Sequence, residues 1–170
     1  EFLGSVDTLI NASKIKTMPV ATPIRSGGLD VYEMPISNHI YTMCVDVSRG
    51  LSNDYSAFVV LDVTQAPYKI VAKYRNNEIK PLVFPSVIGL RMTKGTKRIG
   101  TSNLKSLIEG DKLIINDFDI ISELSTFISK GKSFEAEAGA TDDLVMCLVI
   151  FSWLANQRYF KELTDVDVRG

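Results

Sequence analysis

The sequence contains few of the residues on which most metal centres and nucleophilic active sites depend. Its 170 residues include one histidine, His39, two cysteines and one tryptophan. Without a cluster of cysteines and histidines, no zinc site is indicated. A Ser-His-Asp or Cys-His site would have to use His39, and no motif pairs a nucleophile with this residue. Any active site must therefore be built from other side chains.

The sequence also lacks a long hydrophobic run and a signal peptide. The longest apolar run, residues 144–151, is too short to span a bilayer, so no membrane association is expected. Cys44 and Cys147 lie inside apolar runs, which is typical of small buried residues in a reducing compartment rather than of a disulfide. The chain does not begin with methionine, and we expect it to be a fragment of a longer protein.

No excess of charge of either sign is present. The formal net charge is −1, with 23% charged and 45% apolar residues, as in an ordinary soluble globular protein of one domain. This balance does not suggest a histone-like binder, but it leaves room for a local basic patch.

What the sequence does contain is a pair of predicted β-strands, residues 40–47 and 55–63, joined by a polar loop. Alternation along the first strand places Asp46 on the same face as Cys44. Asp54 lies at the start of the second strand. An ionised carboxylate in an apolar strand needs a compensating partner. A metal ion is one such partner, and a hydrogen-bonded structural role for Asp46 is the alternative.

A third predicted strand, residues 68–75, has one apolar face and one cationic face. A connection of hairpin length joins it to the second strand, so the three strands are expected to be antiparallel. The cationic face carries Lys69, Lys73 and Arg75. We predict either a solvated sheet face or one that faces phosphates.

Residues 89–98 form a basic, glycine-containing stretch that we predict to be a loop. Such a loop is able to grip a phosphate backbone, although solvated charges are the alternative. Its cations are Arg91, Lys94, Lys97 and Arg98. A short helix is predicted next, over residues 101–109, with Thr101 or Ser102 as its N-cap.

The rest of the chain predicts alternating strands and helices. We expect a short strand over residues 112–115, an amphipathic helix over 117–129 and a strand over 132–138. The apolar side of that helix is predicted to consist of Phe118, Ile121, Leu124 and Ile128. Together with the three antiparallel strands, these elements predict an α/β fold with a mixed sheet.

The last strong element is a predicted helix over residues 141–156, which is apolar nearly all round and is therefore expected to be buried. Thr141 is its predicted N-cap. Asp142 and Asp143 lie in the first turn, where the helix dipole favours negative charge. Capping explains one acid, and a second is more than capping needs. The polar tail, residues 160–170, is expected to be peripheral.

Packing this last helix against the first strand would bring Asp46 close to Asp142 and Asp143. Converging carboxylates repel one another and raise each other's pKa. A divalent cation removes the conflict, and hard oxygen ligands suit Mg²⁺ or Mn²⁺. Two such ions about 3.5–4 Å apart activate a water and stabilise the leaving oxygen in phosphodiester cleavage.

Four segments carry a resemblance to a known family. VDVSRGLSNDYSAFVVLDV, YKIVAKYRNNEIKPLVFP, GLRMTKGTKRIG and ATDDLVMCLVIFSWLANQRYF together resemble the nuclease domain of the large terminase subunit of T-even-like tailed bacteriophages. The resemblance covers residues 32–167 and implies an RNase H-like mixed β-sheet flanked by helices. The implied activity is that of a Mg²⁺-dependent (or Mn²⁺-dependent), two-metal endonuclease. It cuts concatemeric double-stranded phage DNA during headful packaging.

The resemblance also implies a domain organisation and a set of partners. Residues 1–39 would be an interdomain linker or arm, 40–160 the nuclease domain and 161–170 a C-terminal tail. The implied partners are double-stranded DNA, the portal protein, the small terminase subunit and an N-terminal ATPase domain of the same protein. The implied location is the host bacterial cytoplasm, at the procapsid portal during packaging.

Site residues follow from the resemblance position by position. Asp46 matches the metal-binding acid of the first strand, and Asp142 matches the acid that opens the last helix. These two would be catalytic, with Asp143 as a further metal ligand and Asp54 as a secondary acidic residue. The four cations of residues 89–98 would contact DNA.

The sequence departs from the family between Ile88 and Gly89. The family has a helix and a strand with a catalytic glutamate at this point, and Glu78, Glu109 and Asp111 do not occupy the equivalent position. Either the chain lacks this segment or the printed sequence skips it, and we expect the second. If the segment is truly absent, a non-catalytic DNA-gripping or docking domain is the alternative function. Another RNase H-like enzyme, such as a resolvase or an exonuclease, is a third.

Overall fold

The structure is a computed structural model that describes residues 6–47, 55–76 and 90–168. Within these residues the chain forms five helices and seven strands. In chain order the elements are α1 (Ala12–Lys16), β1 (Leu29–Val31), β2 (Tyr41–Asp46), β3 (Ser56–Asp62), β4 (Tyr68–Asn76), α2 (Lys94–Glu109), β5 (Leu113–Ile114), α3 (Phe118–Ser125), β6 (Phe127–Lys130), β7 (Ser133–Ala136), α4 (Asp143–Ala155) and α5 (Arg158–Val168).

The main sheet has five strands and is mixed. Its order is β1-β4-β3-β2, and β5 pairs in parallel with the start of β4. Strands β2, β3 and β4 are antiparallel neighbours, which confirms the three predicted strands and their antiparallel order. Strands β6 and β7 form a separate two-stranded sheet. Among the described strands, β2 therefore lies at one edge of the main sheet.

Side chains of β2 alternate between the core and solvent, as predicted. Cys44 is buried, whereas Met43 and Val45 are exposed. Asp46 is two residues beyond Cys44 and therefore projects toward the core side of the sheet. Helix α4 packs on this side, since its Cys147 thiol donates a hydrogen bond to the carbonyl of Ala57 in β3.

Helix α4 is the centre of the hydrophobic core and has a close neighbour in α2. Gly100 of α2 lies against the backbone of Val149, and Asn103 donates a side-chain hydrogen bond to the carbonyl of Ser152 at 3.2 Å. The second contact lies three residues after the first in both helices. Helices α2 and α4 therefore run parallel, and their N-terminal ends lie together. Within the described residues, no helix is both long enough and apolar enough to cross a membrane.

Helix α2 is longer than predicted, and the basic stretch is not a loop. The N-cap is Thr93, whose side chain accepts a hydrogen bond from the backbone N–H of Thr96. Thr101, one of the two predicted caps, instead donates its hydroxyl to carbonyls of the preceding turn. The prediction was wrong because Gly95 and the basic side chains gave no apolar periodicity, while packing on α4 makes the segment helical.

The predicted helix over residues 117–129 ends early. Helix α3 stops at Ser125, and Ile128 lies in strand β6. Phe118 is exposed, because the buried stripe of α3 is formed by Ile120, Ile121 and Leu124. Of the four residues predicted for the apolar side, Ile121 and Leu124 are therefore confirmed, whereas Phe118 is exposed and Ile128 lies beyond the helix.

Both ends of the described chain contribute to the core. Leu9, Ile10 and Ile15 are buried, and β1 extends the main sheet. Whether residues 1–39 join another domain stays a prediction. At the other end, Phe160 of α5 is buried against the ring of Phe151. The prediction that the tail is peripheral was therefore wrong for this residue.

Candidate metal centre and nucleic-acid interface

Three residues aligned across the main sheet form the floor of the candidate site. Asp46 in β2 is the register partner of Ala57 in β3, which is in turn the partner of Arg75 in β4. Residues directly opposite each other in antiparallel strands project from the same face. Asp46 and Arg75 therefore share the face covered by α4, two strand spacings or about 10 Å apart at the backbone.

The start of helix α4 is held by Glu123, a buried carboxylate from α3. Its Oε2 accepts hydrogen bonds from the backbone N–H groups of Leu144 and Val145, both at 2.9 Å. Its Oε1 accepts from a guanidinium nitrogen of Arg75 at 2.9 Å and from the hydroxyl of Thr141 at 3.1 Å. One carboxylate therefore joins the first turn of α4 to the sheet.

This arrangement replaces the predicted helix cap. The N-cap residue is Asp142, whose side chain makes no capping hydrogen bond. Thr141 was predicted to cap the helix, and this was wrong, because its hydroxyl donates to Glu123. Two of the free N–H groups at the helix end are satisfied by Glu123 from another helix instead.

Burial raises the pKa of Glu123 to about 6, and the negative charge of Asp143 adds to the rise. The N–H of Val145 and the guanidinium of Arg75 act against it, because both favour the ionised form. The Arg75 guanidinium also lies 5.2 Å from the ring centroid of Tyr55. Glu123 and Arg75 are therefore an ion pair at neutral pH, fixed on several sides.

The two acids at the start of α4 have different surroundings. Asp142 accepts a hydrogen bond through Oδ2 from the backbone N–H of Ala136 in β7, at 3.2 Å. That carboxylate therefore faces the small sheet. Asp143 precedes Cys147 by four residues, so the two share one face of the helix.

Cys147 marks where this face meets the main sheet. Its thiol donates to the carbonyl of Ala57, the register partner of Asp46, so Asp46 lies beside it. Burial and then the negative charge of Asp46 accordingly raise the pKa of the Cys147 thiol. Asp143 lies one turn earlier, about 5.4 Å along the helix axis. The structure thus brings Asp46 and Asp143 to the same interface between β2 and α4.

These acids do not form a closed cluster. Among the described residues, the one group of three or more acidic, histidine or cysteine side chains with ligand atoms all within 4.8 Å of one another is a different set. That set is Asp30, Asp117 and Asp119. The carboxylate oxygens of Asp46, Asp142 and Asp143 are therefore not all within 4.8 Å of one another, as the direct ligands of one ion would be.

The Asp30, Asp117 and Asp119 group already surrounds a cation, the ammonium of Lys73. Lys73 Nζ lies 2.9 Å from Asp30, 3.2 Å from Asp117 and 2.5 Å from Asp119. Asp117 also caps α3 and accepts the hydroxyl hydrogen bond of Tyr32. The group does not fit a metal ion, because Lys73 occupies the central position and ties β1, β4 and α3 together.

Only the Lys69 end of the cationic face predicted for β4 is solvated. Lys73 is buried in its acidic cluster and Arg75 is paired with Glu123, while Lys69 lies near Glu33. The prediction was wrong for Lys73 and Arg75, because the acids that neutralise these two cations come from β1 and α3. Alternation along a single strand gives no sign of those partners.

A basic groove lies between the N-terminal turn of α2 and the hairpin of β6 and β7. It has a volume of about 620 Å³ and is lined by Lys94, Gly95, Arg98, Lys130, Lys132 and Ser133. The Lys97 ammonium lies instead 5.8 Å from the ring centroid of Phe127, and Arg91 is exposed before the helix. Since the N-terminal ends of α2 and α4 lie together, this groove opens at the same end of the molecule as Asp142 and Asp143.

Other residues named from the sequence lie elsewhere. Asp54, Glu78 and the junction of Ile88 with Gly89 fall outside the described residues. Glu109 and Asp111 lie at the C-terminal end of α2, away from the acids at the start of α4. This agrees with the inference that neither replaces the glutamate of the family pattern.

The sequence alone did not indicate that Glu123, Arg75 and the two lysines of the hairpin belong to this region. Glu123 borders the apolar stripe of α3, and a carboxylate next to a buried helix face is a weak sign of a tertiary cap. Lys130 and Lys132 flank Gly131, and such charges at a hairpin tip are usually only solvated.

Comparison with solved structures identifies the fold, and no family model matches the chain. The large terminase nuclease of thermophilic phage G20c with bound magnesium is 20% identical, with a TM-score of 0.70 over 87% of this chain and 97% of that chain. The same nuclease with bound cobalt gives a TM-score of 0.69 at the same identity and coverage. The large terminase nuclease domain of Thermus phage P74-26 is 18% identical, with a TM-score of 0.62 over 85% of this chain and 93% of that one. The chain therefore has the RNase H-like fold of large terminase nuclease domains, a mixed sheet flanked by helices.

Proposed function

We propose that this chain is a metal-dependent endonuclease domain that hydrolyses phosphodiester bonds in double-stranded phage DNA during genome packaging. The observation that carries the proposal is that, in a chain with the terminase-nuclease fold, Asp46 lies beside Cys147 of α4, one helical turn from Asp143. Because one fold hosts many functions, the proposal depends on these side chains as well as on the likeness of fold. Membership of the T-even-like subgroup and headful cutting of concatemers are part of the proposal.

The proposed metal ligands are Asp46 and Asp143, with Asp142 as a further ligand beyond its hydrogen bond to Ala136. An all-carboxylate set suits a hard cation such as Mg²⁺ or Mn²⁺. The similar nuclease of phage G20c, solved with bound magnesium, cobalt and zinc, supports a divalent ion at this site. When bound, a pair of such ions activates water and stabilises the leaving oxygen.

The proposed DNA contacts are the cations around the basic groove. Lys94 and Arg98 from α2 and Lys130 and Lys132 from the hairpin carry positive charge on two sides of one opening. Spaced cations of this kind bind phosphates without reading sequence, which suits cutting with little sequence preference. Arg91 and Lys97 belong to the proposed set by their position in the same segment, and Asp54 stays a proposed secondary acid.

The proposed setting is a packaging motor in the host bacterial cytoplasm, at the procapsid portal. There the domain would act with an N-terminal ATPase domain of the same protein, the portal protein and the small terminase subunit. The assignment of these partners is based on the resemblance of the sequence to the family.

Cleavage of supercoiled plasmid DNA in the presence of Mg²⁺ tests the proposal. We expect nicking by the wild-type chain and a loss of at least about 100-fold in Asp46→Asn and Asp143→Asn, since each variant removes a charged ligand. Asp111→Asn is the matched control, because Asp111 is 83% exposed at the far end of α2. Full activity in a folded Asp46→Asn variant would contradict the assignment.

A non-catalytic DNA-gripping domain is the second candidate function. The observation in its favour is that Asp46, Asp142 and Asp143 do not gather within 4.8 Å. This domain would bind DNA through the basic groove and leave plasmid DNA intact with Mg²⁺ or Mn²⁺. Salt-dependent binding without nicking would therefore select it.

A further inference from the structure

Glu123 makes contacts on both sides of the two acids that open helix α4. It accepts the hydroxyl of Thr141, the residue before Asp142, and the N–H groups of Leu144 and Val145, which follow Asp143. A simple N-cap needs only the N–H contacts. The same carboxylate therefore fixes the backbone before and after the proposed ligands.

The other partner of Glu123 belongs to the row of residues that contains Asp46. Arg75 donates to Glu123 at 2.9 Å and is aligned with Asp46 across Ala57. The ion pair thus connects the start of α4 to the strand register that sets the position of Asp46. Through this ion pair, the Glu123 carboxylate of α3 is bonded directly both to the sheet and to this turn of α4.

We propose that Glu123, held by Arg75, is a positioning residue that sets the separation of Asp143 from Asp46 and thereby the affinity of the site for a divalent ion. This inference rests on the proposed function. All four contacts of Glu123 are to donors, two on each oxygen, so its own oxygens are engaged and its effect on an ion is indirect. Partners of this type, which orient ligands, typically change metal affinity by about 10- to 100-fold when they are replaced.

A glutamine at this position cannot satisfy the same four donors. Its amide nitrogen is itself a donor and would face either Arg75 with Thr141 or the two N–H groups of α4. Glu123→Gln should therefore loosen the turn that carries Asp142 and Asp143 while preserving the size of the side chain. Thr141→Val removes one contact and is milder, whereas Thr141→Ser keeps the hydroxyl.

The test is calorimetric titration of Mn²⁺ into the whole chain, well below the unfolding temperature of each variant. We expect Glu123→Gln to weaken Mn²⁺ binding about 10- to 100-fold. Thr141→Val should weaken binding in the same direction by less, and Thr141→Ser should bind like the wild type. Ile108→Ala is the control for general destabilisation, because Ile108 is buried near the opposite end of α2. Its Mn²⁺ affinity should be unchanged.

Each outcome decides a separate point. Wild-type affinity in folded Glu123→Gln would overturn the positioning role and leave the proposed nuclease function intact. Should Glu123→Gln not fold, wild-type affinity in Thr141→Val would overturn it equally. Failure of the wild-type chain to bind Mn²⁺ would overturn the proposed function and this inference together. An equal loss of affinity in Ile108→Ala would show that the effect is one of stability alone.

Discussion

Gly100→Ala should destabilise the fold, although a glycine-to-alanine change inside a helix is ordinarily stabilising by about 1 kcal/mol. A Cβ at Gly100 would lie 2.6 Å from the carbonyl oxygen of Val149 and 2.7 Å from its Cγ1. The oxygen belongs to helix backbone and cannot rotate away, so helices α2 and α4 would have to separate. Overpacking of this kind costs about 1–3 kcal/mol. The net expectation, after the propensity gain is subtracted, is a loss of up to about 2 kcal/mol.

The matched control is Gly95→Ala in the same helix. The nearest atom to a Cβ there is Thr93 Oγ1 at 3.7 Å, an ordinary contact, so the propensity gain is not opposed. Thermal unfolding followed by circular dichroism should show a lower Tm for Gly100→Ala by up to about 8 °C and an unchanged or higher Tm for Gly95→Ala. If Gly100→Ala were as stable as Gly95→Ala, the close packing of α2 on α4 would be refuted.

Three further predictions concern charges. Lys73→Met should cost about 3–5 kcal/mol in urea unfolding, because it leaves the buried Asp117 carboxylate without its cation, whereas Lys69→Met, a half-exposed control, should cost less than about 1 kcal/mol. Hydrogen bonds from Thr64 and His39 outweigh burial and hold the pKa of Asp62 below its usual range. The stability that this carboxylate contributes is therefore present above the unfolded pKa of about 4 and is lost as the pH falls through the lower folded pKa. An Asp62→Asn variant should therefore lose less of its free energy of unfolding than the wild type between pH 5 and pH 2, as measured by urea unfolding. An equal loss in both proteins would contradict this role of Asp62. Joint replacement of Lys94 and Arg98 by Ala should weaken DNA binding and reduce the slope of log K against log salt by about 1.8, with Lys105→Ala as the control, and an unaltered slope would mean solvated charges.

The strands and the buried helix could be predicted because their signals are local. Alternation of Cys44 with exposed Met43 and Val45 marks one face of β2, and the apolar sequence of α4 marks a helix buried on nearly every side. Short hairpin connections then fix the antiparallel order of β2, β3 and β4. These features depend on neighbours a few residues apart, which a sequence displays directly.

The contacts that hold the site could not be predicted, because their partners are far apart in sequence. Glu123 reaches Arg75 across 48 positions, and Lys73 reaches Asp119 across 46. The helical conformation of Lys94 to Arg98 likewise depends on packing of α2 against α4 rather than on its own pattern. Asp143, which shares the helix face of Cys147, could have been separated from Asp142 by helical spacing alone.

The central claim is that a divalent ion binds between β2 and α4 and not at the Lys73 cluster. Calorimetric titration of Mn²⁺ into the wild-type chain, Asp46→Asn and Asp119→Asn tests it most directly, since each variant removes one carboxylate from one of the two acidic groups. We expect the wild type and Asp119→Asn to bind Mn²⁺ and Asp46→Asn to lose this binding. Retention in Asp46→Asn together with loss in Asp119→Asn would contradict this claim and assign the ion to Asp30, Asp117 and Asp119.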